Sequence, residues 1–362
     1  PSYVLGGRGM AIVYDPRSLR TYMEEAAHVT PDHPVYLDSF LEDAIELDVD
    51  ALCDGQECYV GAVLEHIEEC GIHSGDSACC TPPFSLSDAI LDRVREITRE
   101  LALGCGVKGL LNVQYAVKDG QVSVIEMNPR ASRTVPFSSK ATGVPLAKCA
   151  ALIMAGEKIA DLGLPPEGRD LGYYACKEAV MPFGRFPGAD VVLGPEMKST
   201  GEVMGIGRNF PAAYAKTQLA IDYSLPTGGK VFISVNDRDK RGVISIARDL
   251  ANLGFTIVST SGTAKALRAA GLEVEVVRRM SEMHPNIGDA IAAGEIDFMI
   301  NTPYGQETRS DGFKLRSAAV RHGLCYVTTL SAATAFVQAI QMVKTSDLGV
   351  YALQDLATMG EE

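Results

Sequence analysis

The residues best suited to chemistry lie in the segment 124–133, where Glu126, Asn128 and Arg130 occupy alternate positions. Gln114 lies on the predicted strand before that segment. Mg²⁺ prefers hard oxygen ligands and keeps phosphate oxygens in its shell, and Gln114, Glu126 and Asn128 supply such oxygens. Arg130 is placed to clamp a transferring phosphoryl group. The alternative is a structural acid and amide on a strand edge. Three oxygen ligands followed directly by an arginine argue against this alternative.

A second candidate is the glycine-rich stretch Gly6–Met10, which follows an apolar strand and contains Arg8. Glycines let backbone N–H groups approach a phosphate, and an arginine adds positive charge. Short glycine matches are common, so taken alone this stretch is better explained as a simple turn.

A third candidate lies in the second half of the chain, at Thr260–Thr263 between a predicted strand and helix. Hydroxyls and free N–H groups at a helix N-terminus form a phosphate site. Lys240, Arg279 and Asn301 come at or just after the ends of three further predicted strands. A helix N-cap with solvent-exposed basic side chains explains the threonines and the basic residues equally well. The convergence of four strand ends, however, favours an anion site.

The composition limits the functions open to the chain. It has 362 residues with 46% apolar and 22% charged residues, enough for two domains. A net charge of -13 argues against binding to nucleic acid or to an anionic membrane, which needs a basic surface. Nine cysteines without a C-x-x-C pair indicate reduced thiols in the cytoplasm rather than disulfides or a zinc site. No apolar run reaches membrane-spanning length.

The elements that position the first candidate site are predicted from periodicity. Residues 45–51 alternate between apolar and acidic side chains, which predicts a strand with Glu46, Asp48 and Asp50 on one face, mostly as a solvated surface. Residues 86–103 have helical periodicity, with Ser85 or Ser87 as the N-cap. A further helix is predicted over 145–155.

Two strands, 109–117 and 122–127, are joined at Asp119-Gly120, a hairpin signal. If Gln114 and Glu126 share a metal, they must lie on the same face of the sheet. A two-residue loop would pair Gln114 with Ile125 instead, because opposed residues share a side. The shared metal therefore predicts a three-residue loop, 119–121, with Gly120 at positive φ.

The rest of the chain divides into a connection and a regular α/β region. Residues 157–225 are rich in Gly and Pro, and 225–229 has the composition of a linker. After it, short apolar strands alternate with amphipathic helices, which predicts a parallel sheet covered on both faces. Ligands bind such sheets at the carboxyl ends of the strands.

Three stretches resemble the signature of the carbamoyl-phosphate synthase large-chain family: residues 126–148, 71–77 and 3–8. The resemblance is to the second ATP-grasp half and the effector domain of that family. It implies an α/β protein with a truncated ATP-grasp domain (α+β, mixed sheet) at 1–156, a connecting segment at 157–225, and a Rossmann-like, parallel-sheet methylglyoxal-synthase-like allosteric domain at 226–362.

The resemblance also implies roles for individual residues. ATP is expected at Arg8, Ser39, Leu41, Glu46, Gly71, Ile72, His73, Ser74, Gln114 and Glu126. Of these, Ser39 and Leu41 would line the adenine hinge, and Glu46 would take the ribose hydroxyls. Mg²⁺ or Mn²⁺ is expected at Gln114, Glu126 and Asn128, with Arg130, Glu126 and Asn128 as the catalytic set. A nucleotide monophosphate is expected at Lys240, Thr260, Thr263, Arg279 and Asn301, and ornithine at Thr328, Glu68, Asp76 and Glu178.

The implied activity is ATP-dependent phosphorylation of carbamate, within an enzyme that makes carbamoyl phosphate for pyrimidine and arginine biosynthesis. The implied partners are a glutaminase small subunit, the effectors and further copies of the chain. Because a basic residue and a whole domain expected before Pro1 are absent, residues 1–362 alone are expected to be inactive. The alternatives are a regulatory module without autonomous catalysis, and an ATP-grasp ligase that acts on a different carboxylate.

Overall fold

The computed structural model describes residues 6–29, 33–186, 190–302 and 309–358. The chain forms two compact units. Within the described residues, the first unit is drawn from Pro1–Ala179, Leu193–Ala213 and Gly349–Glu362, and the second from Val180–Val192 and Tyr214–Leu348. No helix in the described ranges is long and apolar enough to cross a membrane.

The first unit is built on a seven-stranded sheet with strand order β5-β4-β1-β2-β3-β6-β7. The pairs β1–β2, β1–β4, β2–β3, β3–β6 and β4–β5 are antiparallel, where the sequence-based expectation was a mixed sheet. The strands are β1 Ile45–Cys53, β2 Cys58–His66, β3 Cys79–Thr81, β4 Gly109–Lys118, β5 Gln121–Asn128, β6 Tyr174–Val180 and β7 Gly201–Gly207. The helices of this unit are α1 Pro16–Val29, α2 Asp88–Gly104, α3 Val135–Thr142 and α4 Leu146–Met154, and α5 Phe210–Ala220 spans the unit boundary.

The two faces of this sheet are covered differently. The apolar side chains of β1, such as Leu47 and Val49, pack with Val113 of β4 against Leu91 and Val94 of α2. The helix begins after Ser87, one of the two expected N-caps, although the serine side chain makes no capping hydrogen bond. A second core, under α3 and α4, lies on the opposite face.

The acidic face of β1 is buried, so the expectation of a solvated surface is wrong. Glu46, Asp48 and Asp50 are 4%, 2% and 0% exposed. Their strand is central in the sheet, and chain segments distant in sequence cover the face that the acids occupy. Periodicity identified which residues share a face, but the covering segments could not be identified from a local pattern.

The β4–β5 hairpin pairs Gln114 with Glu126, as predicted, but by a different route. The loop has two residues, because Lys118 pairs with Gln121, and both Asp119 and Gly120 have positive φ (51° and 77°). The extra residue is a β-bulge at Ile125, between the pairs 115–124 and 114–126. The predicted three-residue loop is therefore wrong, while the predicted pairing and the positive φ of Gly120 are confirmed.

The second unit contains a five-stranded sheet with strand order β10-β9-β8-β11-β12, and its described pairs are parallel, as expected. The strands are β8 Gly229–Val235, β9 Phe255–Ser259, β10 Glu275–Val276, β11 Phe298–Thr302 and β12 Cys325–Val327. The helices are α6 Val243–Asn252, α7 Ser261–Ala269, α8 Ile287–Ala292, α9 Arg309–Arg321 and α10 Leu330–Thr345. On one side Phe232, Val258 and Met299 pack with α8 and α9, and elsewhere Phe298 stacks on Phe336 of α10.

The segment 157–225, expected as a connection, contributes β6 and β7 to the first sheet and contains α5. The expected domain limits at 156 and 226 stay predictions. The helix predicted over 145–155 is present as α4, which buries Cys149 and Ile153 and exposes Leu152 and Met154.

Candidate functional site

The proposed metal ligands lie in register on the face of the first sheet that carries the acids. Gln114 is opposite both Asp48 and Glu126, and Asn128 is two pairs further along β5, opposite Asn112. The Gln114 amide donates to Ser74 Oγ at 2.7 Å, and the Asn128 amide donates to Glu126 Oε1 at 2.8 Å. Both amides therefore use their nitrogens within the protein, which leaves their oxygens for a cation.

This donor set suits a hard divalent ion, since it combines one carboxylate with two amide oxygens. Among the described residues no group of three or more His, Cys, Asp or Glu side chains is arranged to hold a metal. The predicted set contains only one such residue, Glu126, and so does not depend on such a group.

Beside this row lies a buried ionisable cluster formed by Glu46, Asp48 and His66. His66 Nε2 is 3.0 Å from Asp48 Oδ2, and His66 Nδ1 is 3.9 Å from Glu46 Oε1. Burial alone would lower the pKa of His66, but the Asp48 hydrogen bond and the charge of Glu46 raise it. Burial would raise the pKa of Asp48, but His66 and Lys177 lower it.

Glu46, the expected ribose ligand, has a raised pKa because burial outweighs the charge of His66 and Asp48 adds to the rise. The neighbouring Gly71 N–H and Cys70 thiol oppose this rise. Gly71 has φ 97°, and a Cβ at this position would lie 2.6 Å from the ring of Phe40. The 39–41 segment, which holds the expected hinge residues Ser39 and Leu41, thus lies beside Gly71.

The loop 71–77 is hydrogen-bonded to the segment 194–197, which in turn contacts the glycine-rich stretch. The His73 N–H donates to Gly194 O at 2.8 Å, and the Met197 N–H donates to Gly6 O at 3.0 Å. Gly7 lies so close to Pro195 that a Cβ would be 1.8 Å from its carbonyl oxygen. The glycine-rich stretch is therefore packed against 194–197, the segment that His73 also contacts.

The expected nucleotide residues keep different exposures. Arg8 and Ser39 are exposed, while Leu41, Ile72, His73 and Ser74 are half-buried. Burial lowers the pKa of His73, and nearby acids oppose this effect. The structure thus brings the expected nucleotide residues of the 71–74 loop into contact with Glu46 on one side and Gln114 on the other.

Asp50 organises the loop that carries the arginines. Its carboxylate accepts hydrogen bonds from the hydroxyls of Ser132, Thr134 and Ser138 at 2.6–2.7 Å, and from the Asn112 amide at 3.0 Å. Burial raises the pKa of Asp50 above 3.8 and these hydroxyls oppose the rise. The network fixes residues 132–138 to β1, directly after Arg130.

Two basic residues at this site were not singled out from the sequence. Arg133 donates to Ser199 Oγ at 3.0 Å, and Lys177 of β6 donates to the carbonyl oxygen of Ser74 at 3.3 Å. Arg130 is exposed and donates to Ala131 O at 3.2 Å. Arg133 lies within the recognised signature, whereas Lys177 lies in the segment that was treated as a connection.

The residues expected to contact ornithine are in different surroundings. Asp76, 1% exposed, accepts hydrogen bonds from the backbone N–H groups of Lys198 and Ser199 at 2.7 and 2.8 Å. Glu68 and Glu178 are half-buried in the first unit. Thr328 follows β12 in the second unit.

In the second unit, the expected effector residues gather at the carboxyl ends of the strands. The hydroxyls of Thr260 and Ser234 are 3.4 Å apart, and Thr263 Oγ1 accepts a hydrogen bond from the Val235 N–H at 3.2 Å. The Lys240 ammonium pairs with Asp237. It lies 3.6 Å from where a Cβ on Gly262 would be, over the first turn of α7.

Asn301 connects this edge of the sheet to a buried ion pair. It donates to Ser234 O at 2.9 Å and accepts a hydrogen bond from Arg316 at 3.1 Å. Arg316 also binds Asp190 through two hydrogen bonds, of 3.0 and 2.9 Å. The structure brings together Lys240, Thr260, Thr263 and Asn301, whereas Arg279 is exposed beyond β10.

Residues 1–162 match the family described as "Carbamoyl-phosphate synthase L chain, ATP binding domain", and residues 242–328 match the "MGS-like domain". The chain is 54% identical to the carbamoyl phosphate synthase large chain of Methanothermobacter thermautotrophicus, over 98% of this chain and 34% of that protein. The chain belongs to the carbamoyl-phosphate synthase large-chain family.

Within that family, the chain corresponds to the C-terminal part. It is 51% identical to the "Carbamoyl phosphate synthase large chain, C-terminal section" of Methanocaldococcus jannaschii, over 98% of this chain and 59% of that protein. It spans about a third of the length of the other large chains that it matches. Among solved structures, a biotin carboxylase from Campylobacter jejuni is similar, with a TM-score of 0.47 and 17% identity over 60% of this chain and 55% of that chain.

Proposed function

We propose that the first unit is the part of a carbamoyl-phosphate synthase large chain that transfers the γ-phosphoryl group of ATP to carbamate. The observation that carries this proposal is the register of β4 and β5. It aligns Gln114 with Glu126, and Asn128 follows two pairs along on the same face. The aligned oxygens lie beside the 71–74 loop, since Gln114 contacts Ser74.

Phosphoryl transfer depends on positioning and on neutralisation of charge. A divalent cation held by Gln114, Glu126 and Asn128 would supply neutralisation of the phosphate oxygens. Glu46 would accept hydrogen bonds from the ribose hydroxyls. Arg130, which follows Asn128 by two residues, would clamp the transferring group.

The decisive measurement is ATP formation from carbamoyl phosphate and ADP by the complete large chain that carries these residues. Glu126→Gln removes a charge from the reacting centre, for which a loss of about 10²–10³ in rate is expected. Glu96→Gln, at an exposed position of α2, is the matched control and should retain full activity. Equal rates for the two variants would contradict the proposed role of Glu126.

The same assay distinguishes the proposal from the alternative that the chain is an ATP-grasp ligase of a different carboxylate. An ATP-grasp ligase for a different carboxylate would form no ATP from carbamoyl phosphate and ADP. The inactivity expected of residues 1–362 alone stays a prediction, and the same assay on the isolated chain tests it.

We propose that the second unit binds a nucleotide monophosphate as an allosteric effector, with its phosphate at Thr260 and Thr263. The convergence of these hydroxyls with Lys240 at the start of α7 supports this proposal. Thr260→Ala combined with Thr263→Ala should weaken binding, since each lost hydrogen bond to the phosphate is worth roughly 1–3 kcal/mol. Calorimetry with purine and pyrimidine monophosphates measures the effect, and unchanged affinity would refute the placement.

Thr263 is 2% exposed and contacts the backbone of β8, so this double variant also needs a fold control. Thr334→Ala removes a hydroxyl that contacts only its own helix backbone in the described structure, and it should bind normally. If the monophosphate binds but ATP with Mg²⁺ does not, the chain is a regulatory module instead.

From the family resemblance we propose a glutaminase small subunit and further copies of the chain as partners, ornithine as a second effector, and a cytoplasmic role in pyrimidine and arginine biosynthesis. Co-purification with the small subunit and the mass of the assembly in solution test the first two.

A further inference from the structure

Two pairs of cysteines face each other across neighbouring strands of the first sheet. Cys53 of β1 is directly opposite Cys58 of β2, and Cys80 of β3 is directly opposite Cys176 of β6. All four are free thiols. Opposed residues in a sheet have their side chains on the same face, so each pair places two cysteine side chains next to each other.

The Cys53–Cys58 pair occupies a position that suits a disulfide. The next pair towards the turn is hydrogen-bonded, since the Asp54 N–H donates to Glu57 O at 3.1 Å. Hydrogen-bonded and non-hydrogen-bonded pairs alternate in antiparallel ladders, so Cys53 and Cys58 form a non-hydrogen-bonded pair with a Cα separation of about 4.5 Å. Disulfides bridge Cα separations of about 4.4–6.8 Å.

The surroundings of the two sulfurs agree with this geometry. Cys53 is part of the apolar cluster that packs against α2, and Cys58 packs against the same cluster. The Gly55 N–H donates to Cys53 Sγ at 3.4 Å, which holds that sulfur on the turn side of the pair.

The two pairs differ in access. Cys58 is half-buried and lies next to the exposed turn residues 55–57, so it is closer to solvent than the buried Cys53. Cys80 and Cys176 are both 0% exposed. Cys105, just after α2, is exposed and serves as a single-thiol reference.

We propose that Cys53 and Cys58 form a reversible disulfide by exchange with a low-molecular-weight disulfide. The Cys58 thiolate attacks one sulfur of the reagent, a mixed disulfide forms, and one thiol leaves. The Cys53 thiolate then attacks Cys58 Sγ, closes the Cys53–Cys58 bond and expels the second thiol. Two protein thiols are oxidised and one disulfide is reduced to two thiols, so atoms and electrons balance.

The groups around Cys58 set the pH dependence of this exchange. The pKa of Cys58 is raised to about 12, chiefly by burial, with Cys53 and Glu167 adding to the rise and Arg99 opposing it. The attacking species is the thiolate. The exchange rate should therefore rise about tenfold for each unit of pH between 7 and 9.

The test treats the folded chain with oxidised glutathione, alkylates the remaining thiols after denaturation, and maps the peptides by mass spectrometry. We expect a Cys53–Cys58 link that dithiothreitol reverses. Cys105 should stop at the mixed disulfide, and Cys80 and Cys176 should be recovered alkylated. The variant Cys53→Ala should leave Cys58 as the mixed disulfide, because the second attack is lost.

Two results would overturn the proposal. One is recovery of Cys53 and Cys58 in alkylated form while Cys105 carries glutathione, since the reagent was then present and active. The other is a Cys80–Cys176 link that forms as fast as the Cys53–Cys58 link, which would show that unfolding, not the hairpin geometry, governs the reaction. Neither outcome depends on the catalytic function proposed for the chain.

Discussion

The ion pair between Arg316 and Asp190 should respond unequally to removal of its two partners. The Arg316 side chain is 1% exposed, whereas that of Asp190 is 30% exposed. Asp190→Asn leaves a guanidinium charge in the interior without its carboxylate, a change that typically costs about 3–5 kcal/mol. In Arg316→Met, the remaining carboxylate can take up water.

The expected cost of Arg316→Met is roughly 1–3 kcal/mol, which includes the lost hydrogen bond to Asn301. The double variant should cost less than the sum of the single ones, because methionine removes the buried charge that makes Asp190→Asn costly. Hydrogen–deuterium exchange of peptides from β11 and α9 measures the local free energy of opening in the whole chain.

The matched control is Arg93→Met. Arg93 pairs with Glu96 on α2, where both side chains are at least half exposed, and such pairs contribute about 0–1 kcal/mol. Equal costs for Asp190→Asn and Arg316→Met, or strictly additive costs in the double variant, would refute the reasoning from unequal burial.

Two further changes test the first unit. Burial raises the pKa of Asp50 in the folded state above 3.8, so the folded state binds this proton more tightly than the unfolded state does. The stability of the wild type relative to Asp50→Asn should therefore increase as pH falls through the folded pKa towards 3.8. Urea midpoints that show the opposite trend would contradict the assignment. Gly7→Ala combines φ 68° with a Cβ 1.8 Å from Pro195 O and should weaken ATP binding at least tenfold, a loss of about 1.4 kcal/mol. Gly194→Ala, which meets open space, should leave the affinity for ATP unchanged in the same titration.

The parallel sheet of the second unit could be predicted because its strands and helices follow local patterns of apolar and polar residues. Short apolar strands such as β8 and β11 alternate with amphipathic helices such as α6, and the parallel sheet follows from that order. The residues at the strand ends, among them Thr260 and Asn301, could be selected because parallel strands bring their carboxyl ends to one edge.

The hairpin shows where a correct premise led to a wrong detail. A shared face for Gln114 and Glu126 required one residue more than a two-residue loop provides. That residue could be placed in the turn or in a bulge, and both satisfy the pairing. The structure places it at Ile125, inside β5, which a pattern of apolar and polar residues does not specify.

Contacts between distant segments could not be predicted in this way. Lys177 reaches Ser74 across 103 residues, and Arg316 reaches Asp190 across 126. The sequence marks these four residues only as polar or charged, and such residues are usually exposed. The tertiary fold decides which residues they contact, and the local sequence does not specify it.

The bulge at Ile125 has a further consequence for the outermost strand of the sheet. Among the described strands β5 pairs with β4 alone, and its side chains Val124 and Ile125 are 44% and 47% exposed. An apolar edge of this kind is a template on which a strand from another molecule can add and begin aggregation. A bulge interrupts the regular ladder and twists the edge away. The residue that aligns Glu126 with Gln114 therefore also makes this edge a poor surface for self-association into extended sheets.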